Sequence, residues 1–318
     1  MNFRDALSAT KKILEQSPRL KAEGLVDTEA EQLLVAVVRL TTGISLSRLE
    51  LFSKMGFQPE SSGLFPKHAS DKLFELAHRR VEGVPLQHLT GVQWFRDHEF
   101  EVSPAVLVPR PETEILLDTV LKELLTARIT PELGLEIGLG SGVLSIELLS
   151  HFPKLRMVAS ELTEGACIVA KRNVVKILGL EAETGERLRL IRPSNAGEVL
   201  EVFTRQDPQG FAGAADFILS NPPYLAEESE VETGVLMYEP HEALFAPQGE
   251  PLYFYKNIID KGRTFLKPSG FVFVELPHER AQLILELFIE KGWFAKTVPD
   301  LTGRDRVLVA RLIPLEDI

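Results

Sequence analysis

The hydrophobic rhythm of the chain changes twice. Over residues 1–85 apolar positions recur at helical spacing. Phe3, Ala6, Leu7, Ile13 and Leu14 share one face. Ala30, Leu33, Leu34, Val37, Val38 and Leu40 share another, with Asp27 as a suitable N-cap and Gly43 as a stop. "SLSRLELF" and "ASDKLFELAHRRVEG" carry two further helical patterns, and no strand signal interrupts them. A small helical domain over 1–85 is expected, near the size at which an independent core becomes marginal.

Residues 86–110 break that rhythm. In "WFRDHEFEV" aromatic and β-branched residues flank a polar Arg96-Asp97-His98 centre, as in a β-hairpin. Pro104, Pro109 and Pro111 keep the following stretch extended. Glycine and serine runs are missing, so this segment reads as an ordered bridge rather than a flexible linker.

From 111 to 318 helical and strand patterns alternate. "LGLEIG", "RMVASEL", "RLRLI", "ADFILS", "GFVFVEL" and "RVLVARLI" read as strands. Helical patterns separate most of them, including Ile115–Leu125, "SGVLSIELLSHF", "TEGACIVAKRNVVKIL", "KNIIDKGRTFL" and "RAQLILELFIEKG". Strands joined through helices make βαβ units and a mostly parallel sheet. In such sheets ligands bind beyond the carboxyl ends of the strands. Two unusual stretches fall at such ends.

The first is "LEIGLGSGVLSIELL". Gly138, Gly140 and Gly142, with Leu139 and Ser141 between them, join a strand to a helix. Missing side chains let backbone approach a ligand, and a helix N-terminus offers free N–H groups. Tight turns also use glycine, so the loop gains meaning from Glu161. That carboxylate ends the next strand, nineteen residues after Gly142, where it can accept from both hydroxyls of a ribose. An adenosine-containing ligand is expected. Val143 stands where the dinucleotide fingerprint needs glycine, and no G-K-S/T sequence follows, so a pyrophosphate motif is missing. S-adenosylmethionine, which has no phosphate, fits better. Glu136 suits either of two tasks: holding the loop, or meeting the amino group of the methionine part through water.

The second stretch is "LSNPPY". Asn, Pro and Pro all form turns, but their order also suits a planar –NH2 acceptor. Such a nitrogen delocalises its lone pair and needs orientation by acceptors on its N–H groups. The Asn221 side-chain oxygen supplies one and the Pro222 carbonyl a second, restrained by Pro223. Tyr224 can pack against the flat group.

Composition narrows the field. The formal net charge of −11 disfavours nucleic acid as the main partner. Only Cys167 is present and the seven histidines are scattered, so neither a disulfide framework nor a metal motif is expected. The N-terminus lacks the apolar core of a signal peptide, and no run spans a membrane. A cytoplasmic monomer is expected.

"PLQHLTG", "VPRPETE", "LEIGLGSG", "DFILSNPPY", "EPHEAL" and "DLTGRDRV" occur in the order found in the HemK/PrmC family, and the chain resembles that family over nearly its whole length. These are bacterial methyltransferases acting on the N5 nitrogen of a glutamine in class-1 peptide chain release factors. The resemblance implies an α/β, Rossmann-like class I methyltransferase fold. Its seven-stranded sheet would have a final antiparallel strand, supplied by "RVLVARLI". It implies that Gly138–Gly142 line the methionine part of S-adenosylmethionine and that Glu161 holds the ribose. It implies that Asn221, Pro222, Pro223 and Tyr224 bind the glutamine of a Gly-Gly-Gln motif, with Asn221 also beside the cofactor and Asn221 and Pro222 catalytic. The helical domain would contact the protein substrate. Glu136 and Glu161 stand where aspartate is usual. Ser194 and Asn195 stand where an acidic residue is common beside the adenine, which makes Asn195 the candidate there. The alternatives are a ribosomal-protein glutamine methyltransferase, a nucleic-acid adenine-N6 methyltransferase and a binding protein that has lost activity.

Overall fold

The computed structural model describes residues 1–42, 65, 67–179, 187–206, 211–230 and 233–312. The helical pattern of "SLSRLELF" and the stop at Gly43 lie outside them. The chain divides into two compact units. One comprises Met1–Val92 with Thr233–Tyr238, the other Gln93–Glu232 with Glu239–Ile318.

In chain order the described helices and strands begin with α1 (Phe3–Leu14), α2 (Pro18–Ala22), α3 (Val26–Thr42), α4 (Lys67–Val81) and α5 (Leu86–Thr90). The hairpin strands β1 (Val92–Phe95) and β2 (His98–Glu101) follow. Then come α6 (Pro111–Thr126), β3 (Leu133–Ile137), α7 (Val143–His151), β4 (Arg156–Ser160), α8 (Glu164–Leu178) and β5 (Leu188–Ile191). The remainder is α9 (Glu201–Gln206), β6 (Ala215–Ser220), α10 (Thr233–Tyr238), α11 (His241–Leu244), α12 (Tyr253–Lys261), β7 (Leu266–Glu275), α13 (Ala281–Glu290), β8 (Phe294–Pro299) and β9 (Asp305–Arg311).

The first unit is helical. Asn2 caps α1 by accepting from the Asp5 N–H at 2.8 Å, and Ser17 with Pro18 starts α2. Asp27, expected as an N-cap, sits inside the first turn of α3, where its charge favours the helix N-terminus and pairs with Lys11 at 2.7 Å. Ala6, Leu14, Leu33, Leu34, Leu73 and Leu76 form the core between α1, α3 and α4. A buried bidentate pair joins α4 to α3, with Arg80 donating to Glu29 at 2.7 and 2.9 Å. Tyr238 of α10 packs on this core, although it lies far away in sequence.

The second unit holds a seven-stranded sheet in the order β5-β4-β3-β6-β7-β9-β8. The pairs β5-β4, β4-β3, β3-β6 and β6-β7 are parallel, whereas β9 runs antiparallel to both β7 and β8. The strand expected from "RVLVARLI" is thus β9, and it is antiparallel. Both faces of the sheet are covered. Leu135, Ile218, Val272 and Leu308 point into one core, and Met157, Phe217, Leu219, Phe271 and Val309 into the other. Period-two alternation of apolar residues on both faces explains the nearly continuous hydrophobic runs.

β8 is the strand that the hydrophobic pattern did not reveal. Its sequence FAKTVP carries a lysine and ends in proline, and its residues are at most partly buried. Edge strands are blunted this way, so they lack the apolar run that marks a central strand. No helix among the described residues is long and apolar enough to cross a membrane.

Candidate active site

The order in which strands are added reverses at β3. The chain steps outward through β4 and β5, then returns to place β6 on the other side of β3. Crevices form at such switch points, beyond the carboxyl ends of the strands. Glu136 of β3 pairs in register with Leu219 of β6, and Ile137 with Ser220. Ser220 Oγ donates to the Ile137 carbonyl at 2.8 Å. The glycine loop and the Asn-Pro-Pro segment therefore leave the sheet side by side. Between them lies a cavity of about 330 Å³.

On the glycine side, Gly138, Leu139, Gly140 and Ser141 line the cavity. Gly138, Gly140 and Gly142 have φ of +77°, +56° and +87°, a region L side chains avoid, and the space beside Gly138 and Gly140 is open. Gly142 does not line the cavity and instead starts α7 as its N-cap. Glu161, 8 % exposed, accepts from the Gly140 N–H at 2.9 Å and the Thr163 N–H at 2.9 Å. Its carboxylate so fixes the loop it faces. The neighbouring Ser160 hydroxyl is buried and has no hydrogen-bond partner among the described residues, and Ser160 lines the cavity.

Glu136 accepts from the Ser145 hydroxyl of α7. Burial pushes its carboxyl from 4.5 up to about 8; hydrogen bonds from Ser145 pull the other way, and the nearby Glu161 adds to the rise. The Ser145 contact ties α7 to β3, and Glu136 also lines the cavity, so its position serves both tasks.

On the other side, Asn221, Pro222 and Pro223 line the cavity. Two residues that the motif reading missed stand beside Asn221: Thr113, which also lines the cavity, and Glu275, which does not. Asn221 Nδ2 donates to Thr113 Oγ1 at 3.1 Å, and Thr113 Oγ1 donates to Glu275 Oε2 at 2.9 Å. Thr113 lies in the first turn of α6, and Glu275 is the last residue of β7. The signal for Glu275 is a pattern shared with Glu136 and Glu161: a carboxylate closing an apolar strand at its carboxyl end. Burial pushes Glu275 up to about 7, while hydrogen bonds from Thr113 and Asn221 and the Arg306 charge lower it and Glu112 raises it.

Tyr224 and Asn195 stand apart from the cavity wall. The partly buried Tyr224 ring packs against the apolar core, and burial pushes its hydroxyl up to about 12. Asn195 spends its side-chain oxygen on the Gly197 N–H at 2.9 Å. Its neighbours Ala196 and Val199 line the cavity in its place, as do Leu162 and Phe254. A last wall comes from "EPHEAL". Glu239, 4 % exposed, accepts from Arg110 Nη2 at 2.5 Å and the Val108 N–H at 3.3 Å, which sets Pro240 and Pro109 against the cavity. His241 lies outward and packs its ring on Phe245.

No protein-family model matches the chain. Among curated proteins it is similar to a release factor glutamine methyltransferase of Bacteroides thetaiotaomicron, 33% identical over 243 residues, covering 75% of this chain and 80% of the relative. A release factor glutamine methyltransferase of Koribacter versatilis is 34% identical over 240 residues, covering 74% and 78%. A bifunctional methyltransferase of Rickettsia conorii is 29% identical; the match covers 96% of this chain but 56% of that longer protein. Among solved structures, a methyltransferase from Pyrococcus furiosus is 21% identical with a TM-score of 0.44, covering 67% of this chain and 88% of that one. By its sequence relatives, the chain belongs to the release factor glutamine methyltransferase family.

Proposed function

We propose that this protein transfers a methyl group from S-adenosylmethionine to the side-chain amide nitrogen of the glutamine in the Gly-Gly-Gln motif of class-1 peptide chain release factors, in the cytoplasm. The observation that carries this reading is one cavity with two unlike walls: a glycine loop fixed by Glu161, and the Asn221-Pro222-Pro223 segment facing it.

The donor set fits the methyl donor. Glu161 uses part of its acceptor capacity on Gly140 and Thr163, and a carboxylate has about four lone-pair sites, so it retains capacity for ribose hydroxyls. Leu162, Ala196, Val199 and Phe254 offer an apolar slot for a flat base. The open space beside Gly138 and Gly140 leaves backbone accessible to the methionine part. When bound, S-adenosylmethionine supplies an electrophilic methyl.

The chain's own task is then positioning. A carboxamide nitrogen is a weak nucleophile whose two N–H groups can each be held by an acceptor. Asn221 Oδ1 and the Pro222 carbonyl would hold them, orienting the nitrogen for in-line transfer. Pro223 restrains the peptide that carries the Pro222 carbonyl. No strong base is needed, because the nitrogen becomes acidic once methylated. Among the described residues no positively charged side chain lines the cavity, which suits an uncharged amide.

The test is transfer of label from S-adenosylmethionine, offered separately with a class-1 release factor, ribosomal protein and DNA. Label on the release factor, lost when its Gly-Gly-Gln glutamine is changed to alanine, is the expected result. Label on DNA or ribosomal protein alone overturns the reading.

A further inference from the structure

We propose that Thr113 and Glu275 are positioning residues that fix which end of the Asn221 amide faces the acceptor, and so make the site select a carboxamide over a carboxylate. This rests on the glutamine reading above.

The available hydrogens decide the orientation. An ionised carboxylate only accepts, and a threonine hydroxyl has one hydrogen to give. Thr113 commits that hydrogen to Glu275 Oε2 at 2.9 Å. What Thr113 then presents to Asn221, 3.1 Å away, is lone pairs. Only the NH2 end of the Asn221 amide can meet them. Turning the amide over would set two acceptors against each other with no hydrogen between, in a place where Thr113 and Glu275 are 3 % and 5 % exposed.

With Nδ2 held, Oδ1 is the end left for the cavity that Asn221 lines, and it has no partner among the described residues. A glutamine side chain brings N–H groups to that oxygen. A glutamate side chain brings only acceptors and is repelled. Asparagine alone carries no such preference, because its two ends differ only in which is donor and which acceptor. The selectivity therefore resides in the relay behind it.

Other contacts keep the relay in place. Pro111 opens α6 and sets its first turn, which carries Thr113. The Tyr255 hydroxyl donates to the Glu275 carbonyl at 2.9 Å and pins the end of β7. Burial pushes Glu275 up to about 7, so the experiment is run at pH 8, where the carboxylate form dominates.

The experiment compares the wild type with Thr113→Val, Thr113→Ser and Glu275→Gln. For each, kcat and KM are measured with a class-1 release factor. The inhibition constant of the same factor carrying Gly-Gly-Glu is measured alongside. Binding of S-adenosylmethionine is followed by calorimetry. Removing the hydroxyl in Thr113→Val should lower kcat roughly 10- to 100-fold with unchanged donor affinity. The ratio of the Gly-Gly-Glu inhibition constant to KM should fall about tenfold, the effect of roughly one hydrogen bond. Thr113→Ser restores the hydroxyl and should restore both quantities. Glu275→Gln, whose own amide can turn over, should shift the ratio in the same direction and stands in if the valine variant does not fold. Unchanged discrimination in Thr113→Val and Glu275→Gln, or a serine variant behaving like valine, overturns the proposal. A wild type that methylates the factor while the variants keep discrimination removes only this inference. A wild type that fails to methylate it removes the glutamine reading as well.

Discussion

The two walls of the cavity use the same chemical device for different ends. On the glycine wall, Ser145 donates to buried Glu136; on the Asn-Pro-Pro wall, Thr113 donates to buried Glu275. The first pair is nine residues apart and ties α7 to β3 next to the loop both elements flank. The second spans 162 residues and extends to a third partner, Asn221, which lines the cavity. One hydroxyl–carboxylate pair steadies backbone. The other sets the polarity of a side chain. A buried carboxylate at a strand end therefore does not declare its role; the partner's next contact does.

The largest effect expected from breaking this contrast is on the Asn-Pro-Pro wall. Asn221→Ala should reduce transfer to the release factor by roughly 10²- to 10³-fold, the scale for losing a preorganised contact to a reacting group. Calorimetry should find S-adenosylmethionine binding nearly unchanged. Equal loss of both would mean that Asn221 serves the cofactor side instead.

On the glycine wall the loss should appear in affinity. Glu161→Ala frees the Gly140 and Thr163 N–H groups and removes an ionised acceptor, so the donor Kd should rise roughly 10- to 100-fold. With saturating donor, kcat should recover most of its value. A kcat that stays low at saturation would erase the division of labour between the walls.

Backbone strain gives a smaller effect. Gly142 holds φ of +87°, and an added Cβ would lie 3.0 Å from Ile146 Cδ1. Gly142→Ala should cost roughly 1–2 kcal/mol in a denaturant melt. A neutral result would show that the loop start adjusts freely.

The smallest effect concerns Glu136. Its carboxyl titrates near 4.5 unfolded and at about 8 in the fold. The folded chain holds that proton more tightly, so the group's contribution to stability is full below 4.5 and is lost as pH rises through 8. Glu136→Gln keeps a hydrogen-bonding side chain without the charge. Its stability relative to wild type should improve as pH is raised from 6.5 to 7.5, by up to about 1.4 kcal/mol for that unit. Parallel stability curves would show that Glu136 stays ionised.

Much of the catalytic sheet was legible because its information is local. Alternating runs such as "DFILS" and "GFVFVE" become β6 and β7, buried on both faces. The glycine loop was legible for the same reason, since a turn with positive φ must be built from its own residues. The edge strand β8 was not, because half of its surroundings is solvent and its pattern is correspondingly polar. Nor did the sequence show that Thr233–Tyr238 joins the helical unit, since six residues carry too few apolar positions to name their partner.

By itself the sequence determined the alternation of strands and helices, the glycine loop, Glu161 at its strand end and the Asn-Pro-Pro segment, each written in a short local stretch of its own. Tertiary structure alone decided that Thr113 and Glu275 meet at Asn221, that Tyr224 packs against the core, and that Asn195 spends its side chain on a turn. Local backbone preference reaches only a turn or so along the chain. The partner of a buried hydroxyl or amide is set instead by strand order, and the order β3-β6-β7 brings residues 113, 221 and 275 to one point.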